Sequence, residues 1–292
     1  MKLVKDFTDR HYKLTGFFAG ILLIFIDLIV NNIRTSYYDA QGYEIMADHL
    51  IKENFFLFDF NVRGVEAYLF SVRAYGWPLI IALFKILGLN TQLGYWFFWS
   101  VFIAGGMAYA LPELIETIFQ KHITWFIRIL PIALTIIFWN GLIIYALSDI
   151  PAVVIVTLGL LVLSRISDHN KFHINLMMSC LCGFFCGLAY YIRSGCKPII
   201  LIAVIIIFIY KFKKAISKKI ISVIIMCLGM GLSMIPQVLI NISCNHTISY
   251  EVPIFFTTKF AEGEYYLGFK LLRYETNISG LHPDLRLVRM IL

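Results

Sequence analysis

Residues 14–50 read LTGFFAGILLIFIDLIVNNIRTSYYDAQGYEIMADHL, and two unlike segments meet inside them. The first, to Ile33, is mostly apolar and is interrupted by a single acid, Asp27. About 20 such residues suffice to cross a bilayer as a helix. The second turns polar, aromatic and acidic at once. From Ala40 to Lys52, the residues Tyr43, Ile45, Met46, Leu50 and Ile51 share one broad helical face, as in a helix lying along a membrane surface. A carboxylate, Asp39, stands where the two segments join.

The rest of the chain agrees with a membrane reading. Of its 292 residues, 60% are hydrophobic and 15% charged, against roughly 45–50% and about 25% in a soluble domain. The excess lies in blocks such as PAVVIVTLGLLVL (151–163) and PIILIAVIIIFIY (198–210). Backbone polar groups find no water inside a bilayer, so these blocks must be helices. A net charge of +7 is then a signal of topology and of contact with lipid headgroups. Nucleic acid is excluded as a partner, because no compact basic domain exists to hold it. The six cysteines show neither a metal spacing nor a disulfide framework; CLCGFFC (180–186) reads as small residues that let helices approach closely. The basic N-terminus has no small-residue cleavage site after it, so the first span reads as uncleaved.

Candidate spans are 14–33, 92–113, 124–146, 150–166, 174–193, 198–212 and 220–240. WPLIIALFKILGL (77–89) is only 13 residues long and contains Lys85, which suits an interfacial or re-entrant helix better than a span. Charge fixes the orientation. If 77–89 does not cross, the N-terminus, QKHI (120–123), the loop 165–173 and the five lysines of 211–219 all face inward, as the positive-inside rule requires. The expected architecture is an all-α polytopic membrane protein of about seven transmembrane helices, with interfacial helices in a first outer loop (34–91). Residues 1–240 form the membrane module, and 241–292 an outer-face segment read as incomplete.

In this topology the polar residues with the least structural look fall on the outer face. Singly, each has an ordinary reading. Asp39 and Asp149 can cap the helices they precede, with Ser148 sharing the second role and Pro151 in the first turn. Arg73, Arg193 and Lys197 can reach up to headgroups. Together, two carboxylates and three cations at headgroup depth suit chemistry on a lipid-linked phosphate. A carboxylate accepts a proton from a hydroxyl, and a guanidinium holds phosphate through parallel hydrogen bonds.

Five motifs in order carry a resemblance: YYDAQGYEIMADHL (37–50) after the first span, RAYGWPLIIALFKILG (73–88) opening a short outer helix, LSDIPAVVI (147–155) at the fourth span, YIRSGCKP (191–198) after the fifth, and IPQVLINISCNHT (235–247) closing the seventh. In this the chain resembles the C-type superfamily of membrane glycosyltransferases (GT-C), of the bacterial kind that uses polyprenyl-phosphate sugars. It departs in having Gly76-Trp77-Pro78 where an Arg-Pro-Pro or a Gly-Tyr-Pro is usual. The Arg-Pro pair is stretched to Arg193 and Pro198, which leaves open which cation meets phosphate. Members of the superfamily continue beyond the seventh span, so a fragment, a minimal enzyme and an inactive remnant all stand as readings.

The resemblance implies a bacterial plasma-membrane enzyme with its active site on the outer face. Asp39 would be the general base on the acceptor hydroxyl, and Asp149 would orient the acceptor or sugar, or share a cation with Asp39. Arg193, with Lys197 or Arg73, would stabilise the leaving lipid phosphate, and Tyr43 would contact substrate. A leaving monophosphate needs less neutralisation than a nucleotide diphosphate, so a divalent metal is optional. Sugar, acceptor and oligomeric state leave no mark in the sequence. The rivals are a transporter or lipid flippase, which should show repeat symmetry and broken helices at the midplane, and a non-catalytic GT-C-like protein. Asp27 reads as a helix–helix hydrogen-bonding group. His246, His282 and the sequons at Asn245 and Asn277 suggest nothing further.

The topology makes a direct prediction. A cysteine at Ser217 should be shielded from an impermeant thiol reagent in intact cells, and one at Asn61 should be labelled. Labelling at Ser217 would reverse the orientation and remove Asp149 from the outer face.

Overall fold

A computed structural model describes residues 11–31, 39–52, 74–87, 91–144, 147–167, 169–210 and 216–245. Every regular element among them is helical. Helix α1 (Tyr12–Asn31) buries Gly16, Gly20, Ile24 and Leu28, one residue every fourth. Its other side leaves Phe18, Leu22, Ile26 and Ile29 exposed, a surface suited to acyl chains. The buried stripe works because it is small: a Cβ on Gly20 would stand 2.9 Å from Ile132 Cδ1 and 3.0 Å from Ala108 Cβ. Asp27 bonds within its own helix, accepting from Asn31 Nδ2 at its carbonyl (2.8 Å) and carboxylate (3.0 Å).

The two short helices expected of the first outer loop are present as α2 (Asp39–Lys52) and α3 (Gly76–Ile86). They pack on each other, and Lys85 Nζ lies 2.6 Å from Asp48 Oδ1. On α2 the buried residues include Tyr43, Met46, Ala47 and Leu50, which follow helical spacing; Ile45 and Ile51 flank them, half-buried.

Helix α4 (Gln92–Ala104) starts at Thr91, whose hydroxyl accepts the Gly94 N–H at 3.1 Å and so satisfies an otherwise orphan donor. It continues through a π-helical turn (Gly105–Ala110) into α5 (Leu111–Phe119). Pro112 accounts for the turn. It has no N–H for the Ala108 carbonyl, and its ring needs room one turn back. The preceding N–H, from Leu111, reaches five residues back to Gly106 O, which widens the turn.

The remaining helices are α6 (Trp125–Ile144), α7 (Asp149–Ser164), α8 (Phe172–Ile192), a 3-10 turn (Ser194–Cys196), α9 (Lys197–Tyr210) and α10 (Ile216–Asn245). Four stretches among the described residues are long and apolar enough to cross a membrane: Tyr12–Asn31, Leu93–Phe119, Phe172–Ile192 and Ile216–Ile242. An all-α membrane protein fits them; the expected count of seven spans does not. The other three expected spans hold shorter apolar helices, Trp125–Trp139, Asp149–Ser164 and Ser194–Ile207. Trp139 breaks α6 with a non-helical backbone (φ −140°, ψ 41°). The 16 residues of α7 reach about 24 Å at 1.5 Å per residue, short of a hydrocarbon core of about 30 Å. The last expected span, 220–240, lies inside the longer α10, which runs five residues past the expected module boundary at 240. The outer-face segment beyond Asn245, and with it His246, His282 and the Asn277 sequon, lies outside the described residues.

Helices α7 and α8 run antiparallel, with Gly159 against Phe185 and Cys186 and Ser167 bonded to Asn175. Helices α8 and α10 run parallel, with Lys218 over the Phe172 ring at 5.8 Å and Gly187 against Ser233. Here backbone lies on backbone. A Cβ on Gly183 would fall 1.9 Å from Met226 O, and one on Gly229 would fall 2.0 Å from Cys180 O. Gly183→Ala should therefore force the helices apart and cost at least about 1–3 kcal/mol, as overpacking does. Gly231 on the same α10 has nothing within 4 Å of its would-be Cβ, so Gly231→Ala should be neutral or slightly stabilising. Equilibrium unfolding of both variants in detergent checks the contrast; equal stabilities would mean the close approach is absent.

Candidate functional site

Because α7 and α8 are antiparallel, the start of one meets the end of the other. Asp149 opens α7. Arg193 follows the last residue of α8 in an extended conformation (φ −148°, ψ 116°). Its Nη1 lies 2.5 Å from Asp149 Oδ1, and the two side chains remain 50% and 33% exposed. Beside them Ser148 is buried and its Oγ accepts the Tyr43 hydroxyl at 3.2 Å, which ties α2 to the same end of the bundle. Three of the expected site residues, Tyr43, Asp149 and Arg193, are thus brought together.

Asp39 and Lys197 are placed by their backbones, as the first residues of α2 and α9. Asp39 stands one helical turn before Tyr43. Lys197 follows the 3-10 turn that begins after Arg193. Arg73 lies outside the described residues.

The segment after Arg73 is a docking element. Tyr75 is buried, packs on Tyr191 with ring centroids 5.3 Å apart, and donates its hydroxyl to the Ser233 carbonyl. Burial pushes its pKa above the ordinary phenol value, so it stays a donor. Gly76 admits no side chain, since a Cβ would sit 2.7 Å from the Tyr191 carbonyl. Trp77 is fully buried and packs on Trp99, whose Nε1 donates to Ile143 O at 2.6 Å. This short stretch fastens α3 to α8 and α10 within two residues of Arg193.

The opposite end of the bundle carries a second charged group that reading the sequence missed. Arg128, near the start of α6, is 0% exposed and lies 2.9 Å from Glu113 Oε1 and 2.7 Å from Glu116 Oε2. Lys13 Nζ is 2.9 Å from Glu113, and the Tyr12 ring lies 4.9 Å from the guanidinium. Glu116 also accepts the Ile123 N–H at 2.7 Å. The four charges sum to zero and join the start of α1, the end of α5 and the start of α6. The available signal was Glu113 and Glu116 three residues apart at the edge of an apolar stretch, where acids demand partners.

Among the described residues no group of three or more His, Cys, Asp or Glu side chains could hold a metal ion, and the carboxylate of Asp149 already faces Arg193. Compared with known proteins, the chain matches no family model, no curated protein and no solved structure, so the GT-C resemblance rests on the motifs quoted above.

Cys196, in the 3-10 turn, reports on the ion pair. Burial raises its pKa, Arg193 opposes that, and Asp149 adds to it. Thiolate is the reactive form. In a chain whose other cysteines are replaced by Ala, Arg193→Leu should slow alkylation of Cys196 and Asp149→Asn should speed it, each roughly two- to tenfold at a fixed pH below the thiol's pKa. Rates that move the other way, or not at all, would separate Cys196 from the pair.

Proposed function

We propose that this chain transfers a sugar from a polyprenyl-phosphate donor to a lipid, glycan or protein acceptor at the outer face of a bacterial plasma membrane. The observation that supports this most is the state of Arg193. It is half exposed and uses one nitrogen on Asp149. A guanidinium carries five N–H donors, so the others remain for a phosphate. Asp149 then orients the guanidinium more than the acceptor, which revises the role the motif alone implied. The end of the bundle with Lys13, Arg128 and Lys218 would face the cytoplasm by the positive-inside rule, which turns Asp149 and Arg193 outward.

The reaction follows from the chemistry of the groups. The acceptor oxygen attacks the anomeric carbon, and its proton passes to the Asp39 carboxylate. The bond from that carbon to the phosphate oxygen breaks, and polyprenyl phosphate leaves with both electrons. Arg193, with Lys197 or Arg73 beside it, stabilises the second negative charge that develops on the phosphate.

A second reading rests on the same pair. At 2.5 Å the contact can serve only to fasten α7 to α8, as in a non-catalytic membrane protein. Purified protein in vesicles with a radiolabelled polyprenyl-phosphate hexose and a lipid extract as acceptor separates the two. Transfer should release free polyprenyl phosphate, and Asp39→Asn should slow it about 10²–10⁴-fold, the usual loss of general-base help. Arg193→Ala should weaken binding of sugar-free polyprenyl phosphate at least about tenfold, since a charge-assisted hydrogen bond contributes about 1.5–3 kcal/mol. Unchanged binding of that lipid by Arg193→Ala would leave the fastening role alone.

A further inference from the structure

Helix α10 presents an unusual buried face. Ser233, Gln237 and Asn241, each four residues from the last, are all 1% exposed or less. Gln237 Nε2 donates to Asn241 Oδ1 at 3.1 Å. Gln237 Oε1 is buried and meets no donor among the described residues. Leaving a buried amide oxygen without a partner costs about 1–3 kcal/mol, and an apolar side chain of the same size would avoid that cost. A group kept at such a cost calls for an explanation.

Its height in the bundle suggests one. The helices α8 and α10 are parallel, and Gly187 meets Ser233. Gln237 is therefore about one turn, roughly 6 Å, beyond Ser233 and level with Tyr191. Asn241 is a further turn on, level with the 3-10 turn that follows Arg193. Tyr75, bonded to the Ser233 carbonyl and packed on Tyr191, closes the face from below. The amide pair thus stands at the same depth as Arg193 and Asp149. No charge is described on this face, so the fitting partner is neutral. An amide presents a donor and an acceptor side by side, as does the diol of a sugar.

We propose that Gln237 and Asn241 form the subsite that recognises the hydroxyl groups of the donor's sugar, while Arg193 takes its phosphate. This rests on the donor reading above and assigns to α10 the preference for a glycosylated over a bare lipid. The neighbouring Ser233 serves through its backbone and fixes α3 below the subsite.

The test uses the full chain in nanodiscs and two probes, polyprenyl phosphate and a polyprenyl-phosphate hexose. The parent should bind both, the hexose lipid more tightly. Gln237→Met has nearly the same volume and removes the amide. It should weaken the hexose lipid about tenfold, the loss of one hydrogen bond of about 1.4 kcal/mol, and leave the bare lipid unchanged. Its melting temperature should stay close to the parent's, because losing the unpartnered Oε1 offsets the donor that Asn241 Oδ1 gives up; Gln237→Leu carries the same test if the Met variant does not fold. Hexose-lipid binding equal to the parent's would overturn the subsite while leaving the donor reading intact. Equal loss of both lipids would also overturn it, as would a parent that does not prefer the hexose lipid. A parent that binds neither lipid would overturn the donor reading and the subsite with it.

Discussion

Arg128 sets the terms for the rest of the bundle. A guanidinium that is 0% exposed inside an apolar structure is tolerable only when carboxylates surround it. Glu113 and Glu116 do so from the end of α5, and Lys13 at the start of α1 balances the second acid. The neighbouring sequence makes this geometry reachable. Gly16 leaves room where a Cβ would stand 2.9 Å from Arg128 Cβ. The π-helical turn before Pro112 adds one residue to a helical turn, which rotates everything after it by roughly 100° relative to an unbroken α-helix. Glu113 and Glu116 follow directly on that rotation. Three helix ends are thereby fixed at one end of the molecule, and the chain between them must deliver its other polar residues to the far end.

The two charged groups differ in physical weight. Breaking a buried pair by removing one partner costs about 3–5 kcal/mol, whereas an exposed pair contributes about 0–1 kcal/mol. Arg128 belongs to the first kind. Arg193, half exposed beside Asp149, belongs to the second and contributes little to holding α7 and α8 together. The packing of Gly159 against Phe185 and Cys186 does that work instead, while the close backbone contacts of Gly183 and Gly229 join α8 to α10, with Tyr75 and Gly76 seating α3 on both. A residue that the fold does not need is free for a ligand, and this asymmetry gives the proposed site its place.

Much of this was legible from residue order. The apolar blocks mark helices, the periodicity of Tyr43, Met46 and Leu50 marks α2, and alternation of direction brings Asp149 and Arg193 to one end without any knowledge of contacts. The count of spans was not legible in the same way. Hydropathy records composition, while the reach of a helix depends on where it stops: Trp139 breaks α6, Arg165 follows the end of α7, and α9 is 14 residues long. Arg128 was missed because its partners lie 15 and 12 residues upstream across a loop, and Lys13 lies far off in sequence. The amide pair on α10 lies inside the quoted motif 235–247, but Gln237 and Asn241 drew no role there, because a polar residue in an apolar stretch looks incidental until its burial is known.

One end of the bundle holds the fold, and the ion pair at the other contributes little to it. Equilibrium unfolding of Arg128→Met and Arg193→Leu, measured side by side in the same detergent, tests it most directly. A loss of about 3–5 kcal/mol is expected for Arg128→Met, which removes one of the two cations that balance Glu113 and Glu116, and less than about 1 kcal/mol for Arg193→Leu. Equal losses, or a larger loss at Arg193, would contradict it and make the exposed pair the structural one.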